Sequence, residues 1–191
     1  MRILYNFPSR ERPKKALACL ENITSLARHN DYEILVTADL NDPSMCNDSM
    51  RDAIQAFPNT RVLYGISSGK IDAINKNIGL ATPGWDILCN HSDDMWFTKD
   101  GFDLEIIKEF EAGFSGLLHF PDGFVNERLC TYSIMDKKYF DRFGYIYFGG
   151  YMSVYADNEQ HDVAKILKAY KYVKKNILQH QHFGHGFAEK N

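Results

Sequence analysis

Three amphipathic helical stripes separate four short apolar runs in the first half of this chain, and that alternation constrains the fold most. The runs are Ile3-Leu4-Tyr5, Ile34-Leu35-Val36, "RVLYG" and Ile87-Leu88-Cys89. Between them, Ala16, Leu17, Leu20, Ile23 and Ala27 recur at helical spacing, as do Met50, Ile54 and Phe57, and then Ile71, Ile74 and Ile78. Pro13 stands where a helix tolerates proline, in its first turn, while Asp42-Pro43 and "TPG" punctuate the other junctions. A β-α-β-α-β-α-β order of this kind implies an α/β, Rossmann-like, doubly wound and mostly parallel sheet flanked by helices.

At 191 residues and 45% hydrophobic content the chain can bury one sizeable core, so a single domain is expected. No internal repeat, low-complexity segment or linker interrupts it. A formal net charge of −3 offers no basic excess to track a phosphate backbone, so nucleic acid is not expected as a bulk partner. Cys19, Cys46, Cys89 and Cys130 are widely spaced and form no CxxC pair, as reduced core thiols do. Neither a signal peptide nor an apolar run long enough to span a bilayer is visible, and the expectation is a cytoplasmic protein, with peripheral attachment at the inner membrane face left open.

In a doubly wound sheet ligands bind outside the carboxyl ends of the strands. Three polar clusters fall on that rim: Pro8-Ser9-Arg10, Asp39, and His91-Ser92-Asp93-Asp94. Adjacent carboxylates repel each other unless a cation sits beside them, and hard oxygen ligands suit Mg2+ or Mn2+ shared with substrate phosphates. Capping of a following helix by "SDD" explains the same residues equally well. The two readings stay open on position alone.

The longer context resembles a known family. "GKIDAINKNIGLATPGWDILCNHSDD", Gly69 to Asp94, is similar to the core signature of the family 2 glycosyltransferases of the GT-A fold, in a small, bacterial or phage-like form. "ILYNFPSRERPKKALACL" looks like that family's first strand, nucleotide loop and helix, and "YEILVTADLNDPS" like its second strand and nucleotide-binding aspartate. "YMSVYADNEQHDVAK" resembles the segment carrying the catalytic base, and "ILQHQHFGH" the late histidine. The pieces lie in the family's order along nearly the whole chain.

The resemblance implies an inverting, metal-dependent transfer of a sugar from a nucleotide-sugar, a UDP-sugar by preference, to the hydroxyl of a glycan, lipid-linked or other acceptor. Asp93 is the leading metal ligand, with Mn2+ or Mg2+ as cofactor and His180 as second ligand ahead of His182 and His185. The family's D-x-D reads His91-x-Asp93 here, which leaves His91 open between metal ligand, ribose contact and satisfied rim histidine. Asp94 is expected to orient Asp93 or the donor sugar. Phe7, Pro8, Ser9, Arg10, Asp39, Lys70, Asp72, Asn75 and Ser92 are expected around the nucleotide. Turn formation by Asp39 and a solvated helix face for Lys70, Asp72 and Asn75 are the plain alternatives.

Asp157 is the expected base, with Glu159 in reserve and helix capping as its competing role. Residues 1–95 are read as the nucleotide-binding half and 96–191 as the acceptor half. The aromatic stretch between them serves either an acceptor groove or ordinary core. Two other functions share this fold: nucleotidyl transfer, against which the missing "GxGxR" loop argues, and non-catalytic binding of a nucleotide-sugar.

Overall fold

The computed structural model describes residues 1–181. His182 and His185 lie outside the described residues. The first half alternates as its apolar pattern dictates: β1 (Ile3–Pro8), α1 (Pro13–Leu26), β2 (Tyr32–Asp39), α2 (Asp48–Gln55), β3 (Thr60–Gly65), α3 (Lys70–Asn75) and β4 (Ile87–Asn90). The second half is more broken, with β5 (Met95–Phe97), α4 (Phe102–Glu111), β6 (Leu117–His119), β7 (Ile134–Asp136), α5 (Lys137–Asp141), α6 (Ala156–Ile166), β8 (Tyr170–Tyr172) and β9 (Leu178–His180).

Seven strands form one sheet in the order β3-β2-β1-β4-β7-β6-β8. All pairings are parallel except those of β7, which runs against both β4 and β6. All eight residues of β2 are buried, as a central strand covered on both faces requires. One apolar layer, with Ile34, Val36, Leu20 and Ile23, lies on one face of the sheet. A second, with Leu4, Leu35, Ile71, Trp85 and Tyr139, covers the other. The chain winds outward from β1 through β2 to β3 and then returns to place β4 on the other flank of β1. That reversal opens a crevice at the carboxyl ends of β1 and β4, the place where open α/β sheets bind ligands.

Two local expectations change. β1 continues through Asn6 and Phe7, because Asn6 is buried and donates to Ile74 O at 2.8 Å and to Asn90 Oδ1 at 3.2 Å. The stripe ending at Ile78 splits into α3 and a 3₁₀ turn over Ile78–Leu80. α6 buries Ala156, Gln160, His161 and Ala164, whereas Ile166 is 78% exposed and Tyr170 belongs to β8. No helix among the described residues is long and apolar enough to cross a membrane.

Candidate active site

A cleft of about 1300 Å³ opens over the carboxyl ends of β1, β2 and β4. Pro8, Ser9, Arg10, Asp39, Lys70, Ser92, Asp93, Asp94, Asp157 and His180 all line it. Residues from opposite ends of the sequence therefore meet in one place.

At the β2 end, Asp39 is only 6% exposed yet accepts two hydrogen bonds. Arg10 Nη1 donates to Oδ2 at 2.7 Å and the Ser67 backbone N–H to Oδ1 at 3.0 Å. Asp39 is thus a fixed acceptor on the cleft wall rather than a free turn residue. Arg10 is half exposed, which makes its ion pair weak enough for a ligand to replace.

The "HSDD" knot divides its labour unexpectedly. Asp93, the expected metal ligand, is neutralised from within: Arg12 Nη1 donates to Oδ1 at 2.9 Å and Ser9 Oγ to Oδ2 at 3.2 Å. Asp94 instead faces His180, with its Oδ2 3.6 Å from Nε2. The reason is the small antiparallel pair β5 and β9, whose register sets Met95 opposite His180 while Gln181 N–H donates to Asp94 O at 2.7 Å.

Behind His180 stands Asp122, fully buried, its Oδ2 3.5 Å from Nδ1. Its Oδ1 accepts the backbone N–H groups of Phe124, Val125 and Asn126 at 2.8–2.9 Å, and Thr131 Oγ1 donates to Oδ2. Burial pulls the His180 pKa down, but the hydrogen bonds and charges of Asp122 and Asp94 outweigh it and raise the value to about 9. Burial likewise lifts Asp94, and contact with His180 and Ser92 turns the net shift well below the usual carboxylate range. The proton occupies the ring, so a metal ion can take His180 only by displacing it.

Asp94 and His180 face the cleft with Asp122 behind the ring, and a carboxylate and a neutral imidazole are donor types that divalent ions take. Among the described residues no cluster of three or more His, Cys, Asp or Glu side chains forms a ready-made cage. Two ligands fit an ion that completes its shell with substrate phosphates.

His91 borders the cleft, but its ring nitrogens are engaged inside the protein. It is 1% exposed, with Nδ1 2.9 Å from Tyr132 Oη and Nε2 3.1 Å from Cys19 Sγ. Phe7, Phe97 and Tyr132 surround the ring, and burial lowers its pKa to about 3. Burial drives the Cys19 thiol up, so the pair is a neutral packing contact and no nucleophile.

Asp72 and Asn75 lie off the cleft lining. Asp72 accepts from Ser68 N–H at 2.8 Å and holds the loop before α3. Asn75 clamps the 146–147 backbone, accepting from Ile146 N–H at 3.0 Å and donating to Tyr147 O at 2.6 Å. Both shape the cleft without facing it.

In the first turn of α6, whose N-cap position belongs to Tyr155, Asp157 is an acidic side chain near the helix N-terminus. Its Oδ1 takes only the neighbouring Asn158 N–H at 3.0 Å. Glu159 borders a separate hollow of about 50 Å³ with Tyr139 and Tyr145 and does not reach the cleft. Arg12, Asp122, Thr131, Tyr147 and Tyr155 were not singled out by sequence reasoning, and only the aromatic richness of the stretch around Tyr147 signalled it.

The buried histidines make acid stability testable. His119 is fully buried, with Nδ1 2.7 Å from Tyr170 Oη, and burial lowers its pKa to about 4. His91 and His119 are neutral in the fold but bind protons near pH 6.5 once unfolded. The unfolded state thus holds more protons below that value, and stability falls as pH drops from about 6.5 to 4.5, by up to ~1.4 kcal/mol per pH unit per group. His180 stays protonated in the fold while its unfolded ring titrates near pH 6.5, which opposes the loss slightly there, and the lowered Asp94 and Asp122 add slightly to it near pH 4.5. Urea melts at the two pH values check this, and equal stabilities mean that the rings titrate freely.

No family model and no curated protein matches the sequence. Solved structures do match. The mannosyltransferase PcManGT from Pyrobaculum calidifontis, in complex with GDP-Man and Mn2+, superimposes with a TM-score of 0.67 at 14% identity, over 91% of this chain and 54% of its own. The chain has the GT-A fold. S. aureus TarS 1–349 in complex with UDP gives 0.68 at 12%, over 94% of this chain and 60% of its own. The 4-diphosphocytidyl-2C-methyl-D-erythritol synthase from Anaerococcus prevotii gives 0.61 at 12%, over 91% of this chain and 86% of its own. Against the two transferases the chain spans a little over half of the partner's length.

Proposed function

We propose that the chain is an inverting glycosyltransferase that moves a sugar from a UDP-sugar to an acceptor hydroxyl, dependent on Mn2+ or Mg2+. The observation that carries this reading is the convergence of Asp39, the Asp94–His180 pair and Asp157 in one cleft. Residues 1–95 supply most of the donor wall, and 96–191 contribute the acceptor side and His180.

Asp39 is suited to accept a hydrogen bond from the base, and Ser9 and Pro8 to line the nucleoside. Arg10, Arg12 and Lys70 place cationic charge along the same wall, to meet the diphosphate. Asp94 and His180 would hold the divalent ion, which supplies electrostatic stabilisation of the departing diphosphate when bound. Asp157 takes the proton from the acceptor hydroxyl as its oxygen attacks the anomeric carbon and the bond to the diphosphate breaks. Asp122 keeps His180 oriented throughout.

Nucleotidyl transfer is the second reading, favoured by one observation: the synthase neighbour matches this chain over most of its own length. Such a reaction must hold a triphosphate, and the loop after β1, "SRER", lacks the glycine-rich turn for it. Incubating the protein and Mn2+ with a panel of nucleotide-sugars, and separately with UTP or CTP plus sugar phosphates, separates the two. Transfer or slow hydrolysis of UDP-sugars is expected; pyrophosphate release from the triphosphates overturns it.

Donor choice has its own test. Asp39→Ala should weaken UDP binding by about tenfold, as loss of a hydrogen bond to a buried charged acceptor does. Calorimetry giving equal affinities for UDP and GDP in the parent protein rejects Asp39 as the base-reading residue.

A further inference from the structure

Tyr155 departs from its surroundings in two independent ways. Its backbone lies at φ 70°, ψ −5°, a left-handed conformation that costs a residue bearing a Cβ on the order of 1 kcal/mol or more. As N-cap of α6 it offers no side-chain hydrogen bond, where Ser, Thr, Asp or Asn would supply one. The residue is 68% exposed although it lines the cleft two positions before Asp157. Neither helix capping nor core packing accounts for an aromatic side chain held this way.

The two walls of the cleft differ in character. The donor wall carries Arg10, Arg12 and Lys70, whereas the segment leading into α6 places the exposed Val154 and Tyr155 on the other side of the cleft. A charged diphosphate suits the first wall and has no partner on the second. What lies against the second must be uncharged and must bring a hydroxyl to Asp157. A pyranose ring meets both conditions, since one of its faces is a patch of C–H groups that packs on an aromatic ring while its hydroxyls point outward.

Resting on the glycosyltransferase reading, we infer that Tyr155 is the platform for a neutral pyranose unit of a glycan acceptor. The strained backbone presents the ring to the cleft, and the ring sets the acceptor hydroxyl beside Asp157. A rigid aromatic with two side-chain torsions does this at little entropic cost.

Saturation-transfer NMR on the full chain with UDP and Mn2+ tests this, using the methyl glycosides of glucose, galactose and N-acetylglucosamine as probes. At least one should show enhancement concentrated on the protons of one ring face. Tyr155→Ala should weaken its binding by about tenfold or more, and Tyr155→Phe should retain it. Tyr155→Gly should melt no lower than the parent, since glycine accepts a positive φ, and still lose the sugar. UDP affinity is measured on the same samples. Parent protein that fails to bind UDP overturns the glycosyltransferase reading and this inference with it. Intact UDP binding with no glycoside signal, or with one indifferent to Tyr155→Ala, overturns the platform alone. Phosphatidylcholine vesicles captured through Tyr155 in place of the glycosides would show a lipid-facing residue and also overturn it.

Discussion

Asp157→Asn is expected to bind the donor nucleotide as tightly as the parent and to transfer sugar about 10²–10⁴-fold more slowly, the contribution typical of a positioned general base. The substitution is nearly isosteric, and the one hydrogen bond that Asp157 accepts, from Asn158 N–H, needs only the side-chain oxygen that asparagine keeps. The fold should therefore survive, and the loss should fall on turnover rather than on donor affinity. Glu159 cannot take over, because it borders the hollow beside Tyr139 and Tyr145 rather than the cleft. Steady-state turnover with the best donor, paired with calorimetric UDP affinity, decides the matter. Turnover within a few-fold of the parent would remove Asp157 from the chemistry.

The first half of the fold was legible because β1, β2 and β4 are buried on both faces and read as near-continuous apolar runs, such as Ile34-Leu35-Val36 within β2. The second half resists the same reading. Strands of three residues, like β5 and β9, are too short to show a period, and Ile166 and Leu167 form an apolar stripe that the fold leaves exposed. The reversal of β7 depends on long-range pairing with β4 that no local signal encodes.

At the site, the carboxyl-end rule located Ser9, Arg10, Asp39 and the "HSDD" knot on one rim. It could not assign the carboxylates within the knot, because adjacent residues on a turn point different ways. Nor could it show His91 turning inward toward Cys19 and Tyr132. Asp122 in "PDGF" reads as an ordinary turn residue; its place behind His180 follows from the β5–β9 pairing, which brings distant segments together.

The order of the two carboxylates gives the other large effect. Asp94→Ala and His180→Ala should each abolish the gain in UDP affinity that Mn2+ confers, whereas the sequence pattern assigns that loss to Asp93. In the structure Asp93 already accepts from Arg12 and Ser9, so Asp93→Ala frees the Arg12 guanidinium and should leave the dependence of UDP affinity on Mn2+ in place. Asp122→Asn keeps the ring partner's shape but not its charge. It should weaken Mn2+ binding in the presence of UDP by about 10–100-fold, the usual cost of losing an orienting carboxylate. Calorimetry of UDP with and without Mn2+, and paramagnetic resonance of the bound ion, read these variants without relying on catalysis. An Asp94→Ala protein whose UDP affinity still rises with Mn2+ would return the metal to Asp93. The Arg12–Asp93 pair would then have to open before the donor binds.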